Sequence, residues 1–464
     1  MKNLITCLSV CVLSGATFAD TWTVDDDGKA DFDNIQAAVD AASNGDEIIV
    51  MPGTYTGTGD EVVDMLGKSV TLRSSNGPNV TFIDGETQRR GIICQGEEAN
   101  NTLIEGFKII NCIGLLYDYN GTMLSIGGGI LCVNAASPSL SNCIMSFNSA
   151  DYGGGLFAGQ GSQLELVDCT FTYGTAVVAG GALYLHFSNS NITECYFSNS
   201  SANNSGGAMI SSNSAPSLTD CNFNGNTAAE FGGALSSYNS NITLSNSTFT
   251  GNSSVNGGAM YYAENSGAVV NGCTFTNNSA INVGGGLSLN ESNPDIVDCV
   301  FDSNNANNYF GGGIYCWLSN PEIVASTFIG NTAVVGGGIL CNNYSSPTIS
   351  ECLITENTAV DYGGGVHLSV GSIPLIEMTT ICGNEPDQLT FADSYKDGGG
   401  NIIEDTCPAD CLGDISGDNH VDVTDLLTVI AYWGSNSSNG DVNFDGIVDV
   451  SDLLIVVGNW GPCE

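Results

Sequence analysis

The chain has 464 residues, and its 50 acidic side chains outnumber the 8 basic ones, which gives a net charge of −42. This balance excludes nucleic acid as a partner, because phosphate contacts need Lys and Arg, and it disfavours anionic membranes for the same reason. The 60 glycines and the 42% hydrophobic content favour a turn-rich, all-β protein over a disordered chain.

The first 19 residues have the pattern of a secretory signal peptide. Lys2 precedes an apolar run from Leu4 to Val12, and the segment ends on small residues at Ala19. We expect cleavage before Asp20, and therefore a secreted protein that is extracellular or associated with the cell surface. No other segment has 18 uninterrupted apolar residues, so we expect no membrane span.

Residues 34–43 predict a short helix that covers the hydrophobic end of the structure that follows. One helical face carries the apolar residues Ile35, Ala38, Val39 and Ala42. Asp31 or Asp33 precedes this face and is the expected N-cap. Residues 46–55 then predict the first strand and its turn.

A unit of about 26 residues recurs through most of the chain. It reads hydrophobic-x-x-Cys-x-Phe-x-x-Asn, followed by a small polar stretch and a Gly-Gly pair. The Cys position holds, in chain order, Cys143, Cys169, Cys195, Cys221, Ser247, Cys273, Cys299, Ser326, Cys352 and Thr379. The Asn position, five residues later, holds Asn148, Asn226, Asn252, Asn278, Asn304, Asn331, Asn357 and Asn384. Self-similarity at a fixed period predicts a stacked solenoid rather than a globular core.

The spacing inside the unit predicts which side chains point inward. The Cys and Phe positions are two residues apart, so both lie on the same side of a strand. The unit has room for two or three short strands and shows no helical pattern, which predicts one coil of a parallel β-helix. At about 4.8 Å per coil, ten to thirteen coils form a rod of about 50–60 Å.

Three columns of the predicted rod follow from the same spacing. We expect the Cys column to consist of buried thiols that act as small apolar fillers, and disulfides between neighbouring coils are the alternative. The Asn column is explained by the tolerance of Asn for the left-handed conformation, and stacked Asn side chains could also bond from coil to coil. The Gly-Gly pairs predict a second tight corner where only small residues fit.

Two known families share these patterns. The stretches Asp26-Asp27-Gly28, Phe32-Asp33-Asn34-Ile35-Gln36-Ala37-Ala38 and Pro52-Gly53-Thr54-Tyr55 resemble the N-terminal cap of pectin-lyase-like β-helix proteins. The Phe-x-x-Asn and Gly-Gly units resemble the repeats of polymorphic outer membrane proteins, which are surface adhesins. The resemblance implies an all-β, right-handed parallel β-helix over residues 20–405, with an N-terminal helical cap at about 20–55.

Two twelve-residue acidic loops lie 27 residues apart near the C-terminus. Oxygen donors at loop positions 1, 3, 5, 9 and 12, with a backbone carbonyl at position 7, suit a Ca²⁺ ion. The first loop offers Asp414, Ser416, Asp418, His420, Asp422 and Asp425, and the second offers Asp441, Asn443, Asp445, Ile447, Asp449 and Asp452. The sequence therefore predicts two Ca²⁺ ions in a module at residues 406–464.

Each loop leads into a matching helix that contains a Leu-Leu pair and ends at Trp-Gly. This duplicated loop and helix resembles a type I dockerin over residues 411–463. The resemblance implies a cohesin-like or cell-surface protein as partner, contacted by loop positions 10 and 11, which are Val423, Thr424, Val450 and Ser451. Dockerin-like repeats bring their ends together, which implies a disulfide between Cys411 and Cys463, with Cys407–Cys463 as the competing pair.

The solenoid has few candidates for catalysis. Lyases of this fold use Arg or Lys as the base, and no Lys or Arg occurs between Lys108 and Lys396. Weak catalytic candidates are the three acids that precede the Cys position on consecutive coils, Asp168, Glu194 and Asp220. Their spacing of about 4.8 Å approaches that of a glycosidase pair, and a solvated acidic stripe is the simpler interpretation. His186 and His367 are expected to be surface or packing residues.

These patterns lead to one functional hypothesis and one alternative. The first is a secreted, non-catalytic rod that binds carbohydrate or a cell surface and is attached through a Ca²⁺-dependent module. The alternative is a polysaccharide lyase or glycoside hydrolase that acts in polysaccharide catabolism.

Overall fold

The computed structural model describes residues 19–96, 101–369, 371–391, 395–407, 413, 415–416, 420–435, 440–442 and 447–462. The solenoid is a right-handed parallel β-helix of about 14 turns, so it has more coils than the ten to thirteen predicted. The difference arises at the ends, where coils form without the Cys-x-Phe-x-x-Asn unit. Among the described residues, none of the helices has the length and apolar character needed to cross a membrane.

A typical coil contributes one strand to each of four parallel sheets, not the two or three strands predicted. We number the sheets by their order within a coil. Sheet 1 has 15 strands: Thr21–Val24, Glu47–Val50, Thr71–Ser74, Leu103–Glu105, Ser139–Ser141, Glu165–Val167, Asn191–Thr193, Ser217–Thr219, Ile242–Ser245, Ala268–Asn271, Asp295–Val297, Glu322–Val324, Thr348–Ser350, Leu375–Glu377 and Lys396–Gly399. Sheet 2 has 14 strands: Gly53–Tyr55, Thr81–Asp84, Lys108–Ile110, Ile144–Ser146, Thr170–Thr172, Tyr196–Ser198, Asn222–Asn224, Thr248–Thr250, Thr274–Thr276, Val300–Asp302, Thr327–Ile329, Leu353–Thr355, Thr380–Cys382 and Ile402–Glu404.

The other two sheets are adjacent along the coil and together form one flank of the rod. Sheet 3 has 9 strands: Ser149–Tyr152, Thr175–Ala179, Ser201–Ala202, Thr227–Ala228, Ser253–Asn256, Ser279–Val283, Asn305–Phe310, Thr332–Val335 and Thr358–Tyr362. Sheet 4 has 13 strands: Glu61–Asp64, Arg90–Gln95, Ile130–Val133, Leu156–Gly159, Leu183–His186, Met209–Ser212, Leu235–Tyr238, Met260–Ala263, Leu287–Asn290, Ile314–Trp317, Ile339–Asn342, Val366–Leu368 and Leu389–Thr390.

The N-terminal cap differs in detail from its prediction. The first strand is Thr21–Val24, which precedes the helix and pairs with Glu47–Val50. Helix α1 spans Ile35–Ala41, and its N-cap is Asn34, whose side chain accepts from the N–H of Ala37. The predicted Asp31 and Asp33 caps are therefore wrong, because the helix begins after Asn34. The predicted face is correct, since Ile35, Ala38 and Val39 are buried in the helix.

The inward columns are as predicted. The Phe side chains stack from coil to coil, and the rings of Phe197 and Phe223 are 4.7 Å apart. The cysteines of the Cys column are buried free thiols, so they fill space and form no disulfides with one another. At the Gly-Gly corner a Cβ on Gly207 would lie 2.1 Å from the carbonyl oxygen of Gly233, so only glycine permits this coil spacing.

The Asn column bonds from coil to coil, but not for the conformational reason predicted. The side-chain amide of Asn252 donates to Asn278 Oδ1 at 3.0 Å and to the Phe223 carbonyl at 3.0 Å. The left-handed conformation belongs instead to the residue before each Asn, such as Asn277 with φ 56°. The Asn side chain is thus selected for its two-sided hydrogen bonding, since it satisfies buried backbone groups at a turn.

One antiparallel hairpin interrupts the described part of the solenoid. Its strands are Leu116–Tyr119 and Thr122–Ser125, and they lie between a sheet 2 strand and a sheet 4 strand. In the C-terminal module, helix α2 spans Val423–Ala431 and helix α3 spans Val450–Gly458. The strand His420–Val421 pairs with Gly461–Pro462.

Candidate functional site

The predicted acidic row lies at a turn and not in a cleft. Asp168, Glu194 and Asp220 are exposed, and each adopts the left-handed conformation, with φ of 50°, 53° and 54°. On neighbouring coils Asn142, Asn246 and Gly272 occupy the same position with the same sign of φ. The turn therefore accounts for the choice of residue at this place, because Asp, Asn and Gly tolerate it best. A catalytic role for the three acids stays a prediction.

Aromatic and amide side chains line a cleft on the flank formed by sheets 3 and 4. It consists of alternate residues of the sheet 4 strands, which point outward, and of residues at the ends of the sheet 3 strands. The centre of the cleft is a depression of about 280 Å³ lined by Phe231, Asn256, Tyr261, Val283, Ser288, Asn290, Tyr315 and Trp317. We call this feature the aromatic cleft. The outer face of sheet 4 continues from it to the strand that contains His186 on one side and to the strand that contains His367 on the other.

The floor of the aromatic cleft is held rigidly. Phe231 packs against Tyr261 with ring centroids 4.6 Å apart, and Ser236 donates a hydrogen bond of 2.8 Å to the Phe231 carbonyl. Asn290 donates to the Tyr261 hydroxyl at 3.1 Å. The Asn290 Oδ1 atom is buried and has no hydrogen-bond partner among the residues that the structure describes. A hydroxyl donor on a ligand would satisfy it.

The wall of the cleft carries half-buried aromatic rings with polar tips. Asn342 donates to the Tyr315 hydroxyl at 3.1 Å, and the hydroxyls of Ser205 and Tyr238 are 3.0 Å apart. Trp317 lies beside Tyr315 on the same strand and is also half-buried. Such rings offer a flat apolar face and a polar edge, which suits a ligand that is itself amphipathic.

The outer face of sheet 4 carries ionisable histidine and tyrosine side chains. His186 Nδ1 is 2.9 Å from the Tyr119 hydroxyl, so this histidine has a partner on the hairpin. Burial lowers the pKa of His186 and of His367, and burial raises the pKa of Tyr184 to about 12. Both histidines are therefore predominantly neutral near pH 7, and Tyr184 stays protonated, which disfavours it as a general base.

The sequence contained a signal for this cleft. In each strand after a Gly-Gly pair, the second and fourth residues point outward, and in several coils one of them is aromatic. The outward pairs of successive coils are Tyr184 and His186, Ile210 and Ser212, Ser236 and Tyr238, Tyr261 and Ala263, Ser288 and Asn290, and Tyr315 and Trp317. Period-two alternation applied to these strands would have found them.

The C-terminal module holds buried carboxylates at position 12 of each loop. Asp425 and Asp452 are fully buried, and their side chains accept from the N–H groups of Asp422 and Asp449, both at 2.8 Å. Asp422 and Asp449 in turn cap helices α2 and α3 in two identical capping boxes. Burial raises the pKa of Asp425, but the N–H donors outweigh it and hold that pKa below the ordinary value.

The chemistry of this module fits bound cations. No Lys or Arg occurs in residues 406–464, where His420 is the one basic side chain among many carboxylates, so the module has a large excess of negative charge. Predicted ligands brought near the helix starts are Ser416, His420, Asp422, Asp425, Asp441, Ile447, Asp449 and Asp452. The predicted ligands Asp414, Asp418, Asn443 and Asp445 lie outside the described residues, as do Cys411 and Cys463.

Helices α2 and α3 each expose an apolar stripe. In each helix the stripe consists of three residues, the second and third of which follow the first by four and seven positions. The stripe of α2 is Val423, Leu427 and Ile430, and the stripe of α3 is Val450, Leu454 and Val457. Val423 and Val450 are two of the four residues predicted to contact a partner, and a third, Thr424, is exposed beside Val423. The predicted contact residue Ser451 is partly buried. The remaining stripe residues were missed, because they belong to the helices and not to the loops.

The structure contains a disulfide that is incompatible with one of the two predicted pairings. Cys382 and Cys407 are joined, with a sequence separation of 25 residues. The pairing of Cys407 with Cys463 is therefore wrong, because the last strand of sheet 2, Ile402–Glu404, carries Cys407 back to the coil that contains Cys382. The pairing of Cys411 with Cys463 stays a prediction.

Comparisons with known proteins match the two parts of the chain separately. The family model of the right handed beta helix region matches residues 128–288 and 181–346, and that of the dockerin type I domain matches residues 412–459. No curated protein matches the chain. The likeness to polymorphic outer membrane proteins stays a prediction.

Solved structures with a similar solenoid share little sequence with this chain. The mannuronan C-5 epimerase AlgE6 A-module of Azotobacter vinelandii is 14% identical with a TM-score of 0.40, covering 79% of this chain and 93% of that one. A mannuronic acid specific polysaccharide family 6 lyase from human gut microbiota is 11% identical with a TM-score of 0.37, covering 83% and 91%. The tailspike protein 3 of bacteriophage CBA120 is 10% identical with a TM-score of 0.35, and the match covers 79% of this chain and 50% of that protein.

With TM-scores of 0.40, 0.37 and 0.35, these solved structures carry no argument about this chain. The strand order, the stacked inward columns and the two family models agree with one another. This chain is a right-handed parallel β-helix protein with a dockerin type I domain at its C-terminus.

Proposed function

We propose that this protein is a secreted rod that binds a neutral polysaccharide in its aromatic cleft and is attached to a cohesin-like or cell-surface protein through its dockerin domain. The observation that carries the proposal is the cleft itself, with half-buried rings beside amide and hydroxyl groups. Sugar rings have apolar C–H faces and polar edges, so stacking on Trp317 and Tyr315 with hydrogen bonds to Asn290 matches their chemistry.

The charge of the solenoid favours a neutral polysaccharide over an anionic one. No Lys or Arg occurs between Lys108 and Lys396, so no side-chain cation of these coils is available to a uronate carboxylate. The exposed acids at the coil turns add a negative field that repels an anionic chain. A neutral glycan therefore suits the cleft better than alginate or pectin.

The dockerin domain supplies the attachment. Bound Ca²⁺ would neutralise the loop carboxylates and tie each loop to its helix, with Asp425 and Asp452 among the ligands. The apolar stripes on α2 and α3 would then form the contact with the partner, because exposed apolar side chains such as Leu427 and Leu454 commonly mark a protein–protein interaction surface.

Binding to a defined panel tests the carbohydrate proposal. Calorimetry with the hexamers of cellulose, xylan and mannan should show binding of at least one neutral glycan, and the hexamers of galacturonate and mannuronate should show none. Trp317→Ala should weaken the binding by at least about tenfold, as truncation of a central aromatic residue commonly does. Tyr196→Ala, an exposed aromatic on sheet 2, is the matched control and should bind normally.

The same panel decides whether the rod is a catalyst. Release of reducing sugar or of unsaturated uronate that is lost in the variant Asp168→Asn/Glu194→Asn/Asp220→Asn would overturn the binding-only proposal. Tighter binding of a uronate hexamer than of every neutral hexamer would overturn the choice of a neutral glycan.

A further inference from the structure

The hairpin of residues 116–125 lies across the outer face of sheet 4 at the N-terminal end of the aromatic cleft. Its side chains alternate, so that Tyr117, Tyr119 and Leu124 face the sheet while Leu116 and Met123 point to solvent. The ring of Tyr119 packs edge-on against Phe157 with centroids 5.3 Å apart. The hairpin is therefore docked on the solenoid and not merely attached at its base.

A buried arginine fixes both ends of this hairpin. Arg90 is 2% exposed and donates to the carbonyls of Leu115 at 3.1 Å, Ile126 at 3.2 Å and Gly127 at 3.0 Å. Its charge is balanced by Glu61 at 2.7 Å. Since Leu115 and Ile126 flank the two strands, Arg90 holds the base of the hairpin at a constant place on the rod.

The hairpin divides the outer face of sheet 4 into a covered part and an open part. Beneath it the outward residues Leu131 and Val133 are fully buried, and Phe157 is 2% exposed. Gly159 gives space to the hairpin, because a Cβ there would lie 2.6 Å from the Tyr119 hydroxyl. Beyond His186, where Tyr119 makes its hydrogen bond, the same face of sheet 4 continues across the strands Met209–Ser212 and Leu235–Tyr238 to the aromatic cleft.

We propose that the aromatic cleft receives the end of a polysaccharide chain, and that the hairpin stops the chain at Tyr119 and His186. This inference rests on the proposed binding of a neutral glycan in the cleft. A chain that runs along the rod from His367 towards His186 crosses seven coil spacings, or roughly 34 Å at about 4.8 Å each. It then meets a wall of fixed position, since the hairpin is anchored at its base by Arg90 and at its tip by packing.

His186 gives the wall a polar group, and the hydroxyl of the buried Tyr119 holds that imidazole in place. A chain end differs from an internal residue by one additional hydroxyl, and a hydroxyl can both donate and accept. The half-buried His186 imidazole offers a partner for it at the point where the hairpin covers the sheet. An end group would thus gain hydrogen bonds that an internal residue, which cannot pass the hairpin, would not reach.

The number of protein molecules bound per glycan chain separates end binding from internal binding. The probe is a length series of the neutral glycan that the hexamer panel identifies, titrated with the full chain by calorimetry. End binding predicts one protein per chain at every length, so the capacity per gram falls in inverse proportion to chain length. Capacity per gram that does not change with length would overturn the inference and leave the proposed function intact.

A shortened hairpin provides the complementary test. Residues 117–124 are replaced by Asn-Gly, and Leu131→Thr, Val133→Thr and Phe157→Thr give the uncovered face a polar surface. This variant should bind several molecules per long chain, because the glycan can now run past the former wall. One molecule per chain in a folded variant would overturn the role of the hairpin. The length series with the unaltered protein decides the question if the variant does not fold.

If no neutral hexamer binds, the proposed function fails and the inference fails with it. A different result is that Trp317→Ala loses binding while the capacity of the unaltered protein per gram of glycan does not change with chain length. That result would support glycan binding in the cleft and would contradict only the role of the hairpin. The two proposals therefore fail in different measurements.

Discussion

The substitution Asn278→Ala tests whether the Asn column holds the coils together. In the structure Asn278 Oδ1 accepts from the backbone N–H of Asn252 at 3.0 Å and from its side-chain amide at 3.0 Å. Its own amide donates to the Phe249 carbonyl at 2.9 Å and to Asn304 Oδ1 at 2.9 Å. All of these groups lie in the fully buried interior of the turn.

The cost of the substitution follows from the groups left without this partner. The Asn252 N–H and the Phe249 carbonyl lose a buried hydrogen bond, and each such loss costs about 1–3 kcal/mol. We therefore expect Asn278→Ala to lower the free energy of unfolding by about 2–6 kcal/mol. The exposed Asn308→Ala is the matched control, and it should change the free energy by less than about 0.5 kcal/mol.

Urea denaturation followed by circular dichroism measures the loss, and hydrogen exchange locates it. A solenoid is stabilised by contacts between neighbouring coils, so the faster exchange should be concentrated around the Asn252 amide and the adjacent coils. Equal destabilisation by Asn278→Ala and Asn308→Ala would refute the reasoning. So would faster exchange spread evenly along the rod.

Three further predictions concern the end of the solenoid, the dockerin domain and pH. Removing the disulfide by Cys382→Ser/Cys407→Ser should cost roughly 3 kcal/mol for its 25-residue separation, seen as a lower urea midpoint, and an unchanged midpoint would contradict it. Asp452→Asn should remove one of two bound Ca²⁺ ions in calorimetry of the full chain, whereas the exposed control Asp361→Asn should retain both. Burial lowers the pKa of His186, so as pH falls through the ordinary value of 6.5 the unfolded chain gains this proton at a higher pH than the folded chain does. Stability should therefore fall from pH 7 to 5 by less in His186→Gln than in the unaltered protein, and parallel melting-temperature curves would contradict this.

The repeat allowed most of the solenoid to be predicted. The two-residue spacing of Cys195 and Phe197 predicted their shared inward face, and both are buried in the same column. The Asn column shows where such reasoning stops. Asn favours left-handed turns and also bonds well in both directions, and the sequence alone does not say which property is used at Asn226. The structure shows the hydrogen bonds at Asn226 and the left-handed conformation at the residue before it.

The two acidic loops could be predicted from the sequence more completely than the aromatic cleft. A loop of twelve consecutive residues carries its ligands on one short segment, so position alone predicts Asp422 and Asp425 as neighbours. The cleft brings together Phe231, Asn290 and Trp317 from different coils, and no segment contains its pattern. Period-two alternation identifies each residue as outward, but not which outward residues remain accessible.

The sequence by itself determined the coil, its inward columns and the paired acidic loops, because each of these depends on spacing within about one repeat. Tertiary structure decided which face of the rod is open. The hairpin at residues 116–125 covers Leu131 and Phe157, Arg90 fixes its base, and Cys407 returns to Cys382. These contacts join segments that are separated along the chain, and only folding determines the distance between them.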